Sequence, residues 1–211
     1  MLLYTVVEGL LRPVFMTLWR VELRGTGRIP ESGAVVVAAN HDSVLDGFFL
    51  ALATRRQLRF MAKAELFRYP PLKQVMDGIG AFPVLRNADE GRAVARGVEL
   101  LEQGEAIAIF PQGTALPYRN RPYRRGAARL ALTAGAPIVP VALINTEKAL
   151  RPHRVRLGFP RVLIIAGEPI GVEPQEPTPE AVVELTARLE RAIEELRAPF
   201  GPPAHAWIDS R

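Results

Sequence analysis

The chain has 211 residues, enough for one domain with a sizeable core and too few to suggest two. It contains no cysteine, which excludes disulfides, thiolate metal sites and thiol nucleophiles, so any covalent chemistry rests on oxygen and nitrogen. Net charge is +5 and 24 of the 27 basic residues are arginine, a composition suited to bidentate grip on phosphate or carboxylate and hence to an anionic partner. With two Trp, four Tyr, no zinc-finger spacing and no aromatic-rich basic strand, no nucleic acid is expected as that partner; membranes and phosphorylated small molecules rank ahead of it.

Three segments are expected: an amphipathic helix over 1–20, an α/β domain over 21–198 and a tail over 199–211. The opening "MLLYTVVEGLLRPVFMTLW" lacks the features of a signal peptide, and Glu8 and Arg12 interrupt the run needed to span a bilayer. Leu3, Val7, Leu10, Leu11, Val14 and Leu18 recur at helical spacing, opposite Thr5, Glu8, Gly9, Arg12 and Met16, with Glu8 and Arg12 spaced for an ion pair and Pro13 placed to bend the helix. Such a helix either packs on the protein's own core or lies on a membrane surface; Trp19, Arg20 and the basic balance favour the membrane.

From residue 34 strands and helices alternate. "AVVVAA" reads as a buried strand, "LDGFFLALATR" as a helix, "LRFMAKA" as a strand, "PPLKQVMDGIG" as a short helix and "AFPVLR" as a strand. "DEGRAVARGVELLEQG" follows as a helix stopped by Gly104, then strand "EAIAIF", helix "GAARLALTAG" and strand "PIVPVALI". "RVRLGF" and "RVLIIAG" read as a closing strand pair, and Thr178 caps a final helix whose Val182, Leu185, Leu189 and Ile193 face inward. The class is α/β, with a mostly parallel central sheet flanked by helices.

In such a sheet, sites form beyond the carboxyl ends of the strands. "NHDSVLD" follows the first buried strand. On one continuous helix His41 and Asp46 would stand roughly 140° apart. If the helix begins after Ser43, Asp46 falls in its first turn, where side chains tilt back towards His41. A carboxylate there fixes the imidazole tautomer and raises the basicity of the outward nitrogen, which makes a general base with its orienter. "SVLD" also reads as a capping box, and the spacing alone does not choose between cap and dyad. Arg86 ends another strand, and "FPQGT" leads through Arg119, Arg121, Arg124 and Arg125 to a helix start at Gly126, a reasonable anion site. His153 and His205 read as loop and tail residues, and no metal site is expected.

Taken in order, these segments resemble the glycerolipid acyltransferases, in particular the bacterial 1-acylglycerol-3-phosphate acyltransferases, over about residues 20 to 170. Asn40, His41, Ser43 and Asp46 match the family's N-H-x-S-x-x-D block; Lys63, Gly80, Phe82, Val84 and Arg86 resemble its second block, "FPQGTA" its F-P-E-G-T-R, and "IVPVAL" its V-P-V-type strand. The third block departs twice, with Gln112 for Glu and Ala115 for Arg, which unsettles the acceptor rather than the chemistry.

The resemblance implies an enzyme that moves an acyl group from acyl-CoA or acyl-acyl carrier protein to the free hydroxyl of 1-acylglycerol-3-phosphate. His41 and Asp46 would be catalytic. Asn40, Ser43, Lys63, Arg86, Gln112, Gly113 and Thr114 would bind substrate, with backbone amides near Gly113 and Thr114 meeting the oxyanion. No bound cofactor is implied. The partners are a membrane lipid acceptor, an anionic membrane surface at the cytoplasmic face of the cell membrane and, as the alternative donor carrier, acyl carrier protein. The competing readings are an O-acyltransferase for a phosphate-free lipid or glycoside, a catalytically silent lipid-binding protein, and an esterase, which lacks support from any G-x-S-x-G turn.

Overall fold

The computed structural model describes residues 2–78, 80–84, 90–113, 122–151 and 156–201. Seven strands form its central sheet in the order β1 (Glu22–Arg24), β9 (Leu163–Ala166), β6 (Ile138–Ile144), β2 (Val35–Ala39), β5 (Ala106–Ile109), β3 (Leu58–Lys63) and β4 (Phe82–Val84). All neighbouring pairs are parallel except β6 with β9, so the sheet is the mostly parallel one expected from the alternation of elements.

Every residue of β2 is fully buried. Val35, Val37 and Ala39 enter one core cluster and Val36 and Ala38 the other, the period-two alternation of a strand covered on both faces, which is why its sequence is uninterruptedly apolar. On the first face lie α1 (Leu2–Leu18), through Phe15 and Met16, and α2 (Asp46–Ala51), through Phe49 and Leu50. The second face carries α4 (Glu90–Glu102), α5 (Gly126–Ala134) and α6 (Pro179–Arg197), while α3 (Pro70–Gly78) follows β3. As expected, Thr178 caps α6 by accepting from Ala181 N at 3.3 Å, and Val182, Leu185, Leu189 and Ile193 are buried beneath it.

The ribbon after β6 differs from expectation. Among the described residues, none of "RVRLGF" pairs with "RVLIIAG": β8 (Arg156–Leu157) pairs antiparallel with β7 (Leu150–Arg151), while β9 joins β6 and β1. Gly158 enforces the separation, because its N–H donates to Ala149 O at 2.9 Å and a Cβ there would lie 2.4 Å from Lys148 O. Helix α2 also ends earlier than its hydrophobic pattern suggests. Leu52 and Ala53 close it with tight bonds to Phe49 O and Leu50 O, and Arg12 takes the carbonyls of Leu52 and Thr54 at 3.0 and 3.4 Å.

Those bonds show how α1 sits. The side that carries Arg12, Phe15 and Met16 turns inward, followed by buried Trp19, whose Nε1 donates to Gly158 O at 2.8 Å. Leu10, Val14 and Leu18 face outward, 68%, 44% and 45% exposed. The apolar stripe read from the sequence is therefore the outer face over this part of the helix. Among the described residues no helix is long and apolar enough to cross a membrane.

Phe49, fully buried, packs edge-on to Phe15 and Trp19 at centroid distances of 5.5 and 5.6 Å and so anchors α2. Phe49→Ala is expected to cost about 3–5 kcal/mol in chemical denaturation, because a cavity under three packed elements cannot collapse. A loss below 1 kcal/mol would show that α2 is not held by this ring.

Candidate active site

After β2 the chain crosses to β3, beyond β5; after β5 it crosses to β6, beyond β2. The two connections leave in opposite directions, and the ends of β2 and β5 therefore bound a crevice, the position where open α/β sheets bind ligands. His41 follows one strand and Phe110–Gly113 the other. The His41 ring stacks on Phe110 at a centroid distance of 4.2 Å and 17° between planes, and His41 N donates to Gln112 Oε1 at 2.5 Å.

Helix α2 begins at Asp46, after a turn in which Asp46 N donates to Ser43 O and Leu45 N to Ser43 Oγ. The Asp46 side chain thus points back into that turn. Its Oδ2 accepts from Asp42 N at 2.6 Å, from Ser43 N at 2.7 Å and from His41 Nδ1 at 2.9 Å. Ser43 does not cap α2, which follows Leu45 with no side-chain cap, but the carboxylate bond to Ser43 N that the capping box requires and the contact to His41 share one oxygen. A carboxylate only accepts, so Nδ1 carries the proton and Nε2 is left as the basic nitrogen of a side chain that is 18% exposed.

Burial pushes the Asp46 carboxyl above its ordinary range; the His41 ring, the Thr146 hydroxyl and the Ser43 amide oppose that push by favouring the charged form. Chemically, the arrangement can take a proton from a hydroxyl in the crevice and stabilise the imidazolium that forms.

The other sequence-selected residues divide into three groups. Asn40, fully buried, donates through Nδ2 to Leu143 O at 2.9 Å and accepts from Leu143 N at 2.7 Å, so it fastens the loop to β6. Ser43 and Gln112 are buried as well, and with Asn40 they turn their side chains to protein groups. Gly113, at φ +76°, donates its N–H to Phe110 O at 2.9 Å, which engages the amide expected to meet an oxyanion. Arg124 lies across this glycine, its Nε 2.6 Å from where a Gly113 Cβ would be, whereas Arg125 immediately precedes α5. Lys63 ends β3, and its side chain is outside the described set. Arg86, Thr114, Arg119, Arg121, His153 and His205 also lie outside the described residues.

Four residues escaped the sequence reading. Asp42 Oδ2 accepts from Asn40 Nδ2 at 2.8 Å and pairs with Arg197 Nη2, from the end of α6, at 3.0 Å. Thr146, fully buried, follows β6 and so obeys the same strand-end rule that exposed His41. Tyr123 is buried nearby, its hydroxyl held protonated by burial and, second, by the negative charge of Glu194. Among the described residues no three His, Cys, Asp or Glu side chains come together as a metal site.

The same framework occurs in known proteins. A 1-acyl-sn-glycerol-3-phosphate acyltransferase of Bacillus subtilis is 28% identical over 179 residues, covering 83% of this chain and 87% of its own length. The chloroplastic 1-acyl-sn-glycerol-3-phosphate acyltransferase BAT2 of Brassica napus is 29% identical over 63% of this chain, which spans 39% of that longer protein. The crystal structure of the 1-acyl-sn-glycerophosphate (LPA) acyltransferase PlsC from Thermotoga maritima superposes with a TM-score of 0.71 over 92% of this chain and 80% of its own, at 24% identity, which establishes the shared fold. The Acyltransferase family model matches residues 20–144, more than half of the chain and the whole of the β2-to-β6 framework that carries His41, Asp46 and Gln112, and the protein belongs to the Acyltransferase family.

Proposed function

We propose that the protein transfers a fatty acyl group from a thioester, acyl-CoA or acyl-acyl carrier protein, to the free hydroxyl of 1-acylglycerol-3-phosphate, giving phosphatidic acid. The observation that carries the reading is the His41 Nδ1 to Asp46 Oδ2 contact of 2.9 Å at the lip of the crevice. His41 Nε2 takes the acceptor's proton as its oxygen attacks the thioester carbonyl. Asp46 holds the ring and supports its positive charge, and the thiol leaves with the proton returned to it. A thioester is reactive enough that positioning and one base form an adequate catalyst, so no acyl-enzyme and no bound cofactor are required.

Arg124 is the acceptor's phosphate ligand in this proposal. The resemblance implies a loop arginine where this sequence has Ala115, and Arg124, laid across Gly113 next to Gln112, offers a guanidinium in its stead. Arg86 and Lys63 serve the same anionic end. Gln112 keeps the acceptor atom that fixes His41 N and adds no charge beside the base, which accounts for its replacing a glutamate. In this proposal the crevice works against the anionic, cytoplasmic face of a membrane, where a lipid acceptor resides; the exposed Leu10, Val14 and Leu18 of α1 and the excess of arginine support that reading.

Thiol release from a long-chain acyl-CoA is the direct test. His41→Ala is expected to lower the turnover number by about 10²–10⁴-fold; turnover retained within a few fold would reject the base assignment and favour a silent lipid-binding protein. Arg124→Ala should raise KM for 1-acylglycerol-3-phosphate by about 10–100-fold and leave turnover of the dephosphorylated analogue unchanged, as expected for one lost charge-assisted pair. Equal use of both acceptors by the wild type would keep the chemistry and redirect it to a phosphate-free acceptor.

Asp46 also makes a pH prediction. Its carboxyl is raised on folding, so its contribution to stability is fully present below the unfolded carboxylate range and is lost as pH rises through the folded value. Asp46→Asn lacks that titration. Its stability relative to wild type, measured by urea unfolding, should therefore improve from pH 4 to pH 8 while its thiol release stays about 10²–10⁴-fold down. A stability difference independent of pH would contradict the raised carboxyl.

A further inference from the structure

We infer that Arg197, the last residue of α6, is a positioning residue for the His41–Asp46 pair, acting through the carboxylate of Asp42; the inference rests on the acyl-transfer reading above. Arg197 lies 155 positions from Asp42 in sequence, and its Nη2 reaches Asp42 Oδ2 at 3.0 Å with both side chains almost wholly buried, at 7% and 2% exposure. Glu194, one turn back on α6, takes the other end of the guanidinium at 2.8 Å and aims it. The same Asp42 oxygen accepts from Asn40 Nδ2 at 2.8 Å. Asp42 is thereby clamped between α6 and the end of β2, and its own N–H donates to Asp46 Oδ2 at 2.6 Å.

The sequence of contacts is short and has one direction. Arg197 fixes the Asp42 side chain, which fixes the peptide plane between His41 and Asp42. That plane aims the Asp42 N–H at the oxygen that holds the imidazole. Asn40 and Gln112 secure the chain just before this plane, Asn40 to Leu143 of β6 and His41 N to Gln112 after β5. Asp42 is held from two sides, by Asn40 from the end of β2 and by Arg197 from α6, and only Arg197 brings a charge to its carboxylate.

Stability alone is a weak reason for such a pair. A buried ion pair loses much of its Coulombic gain to desolvation, and apolar residues of similar volume are often as good. What the pair does impose is geometry, and the geometry it imposes is that of the base. A displacement of about 1 Å at a catalytic group costs on the order of 10²-fold in rate.

The test compares Arg197→Met, Arg197→Lys and the double variant Asp42→Asn with Arg197→Met, in the full-length protein, by thiol release from acyl-CoA with 1-acylglycerol-3-phosphate. Each variant is assayed at a temperature where circular dichroism shows it folded. Arg197→Met should lower kcat by about 10–100-fold with KM for both substrates within about threefold, and Arg197→Lys, which keeps one donor and the charge, should recover part of the loss. The double variant removes the uncompensated buried carboxylate, so its melting temperature should exceed that of Arg197→Met while its kcat stays low.

Folded Arg197→Met with wild-type kcat would overturn the inference, as would kcat in the double variant that recovers together with stability, since a purely structural link behaves that way. If Arg197→Met does not fold, the Lys and double variants decide by the same criterion. His41→Ala run alongside separates the two levels. Release that survives His41→Ala sinks the acyl-transfer reading itself, whereas an inactive His41→Ala beside a fully active Arg197→Met sinks only the role of Arg197.

Discussion

A carboxylate with no solvent exposure must find its hydrogen-bond donors within the fold, and Asp46 finds three of them in the three residues His41, Asp42 and Ser43. The loop conformation, the first residue of α2 and the orientation of the imidazole are consequences of satisfying that one oxygen. Closure of the loop before α2 and orientation of the imidazole are therefore not separate features that share a motif. The donors that keep a buried charge tolerable are the same ones that set its partner's tautomer.

Around this centre, consecutive residues are tied to different elements. Asn40 is bonded to β6, His41 N to the turn after β5, and Asp42 to the end of α6. The arrangement depends on β2 lying between β5 and β6, with its end at the point where the chain's crossings diverge. It also depends on both faces of β2 being covered, so that residues just beyond the strand are already shielded from water. Helix α1 contributes to that cover with its inner side and leaves Leu10, Val14 and Leu18 outward, so one helix serves the core and offers an apolar surface.

Much of this was legible in the residues. The uninterrupted "VVVAA" announces a strand covered on both faces, and His41, two residues beyond its end, stands at the strand terminus where open α/β sheets form sites. Gly104, Gly135 and Thr178 mark helix ends by local chemistry alone. What escaped was set by distance in the chain. Nothing local distinguishes Asp42 from a solvated turn residue, because its partner is Arg197 on the last helix. That Arg124 lies against Gly113 depends on the path of the chain and not on local sequence. The β7–β8 ribbon was misread because two short apolar runs separated by "GFP" resemble a hairpin, while the close approach of Gly158 to Lys148 O is a tertiary fact.

The most direct test of the central claim is the tautomer of His41, read by ¹⁵N NMR of the selectively labelled protein near neutral pH. A proton resident on Nδ1, with Nε2 unprotonated and the pattern disturbed in Asp46→Asn, is the predicted result. A proton on Nε2 in the wild type, or a spectrum indifferent to Asp46→Asn, would contradict the assignment of Asp46 as the group that prepares His41 as a base.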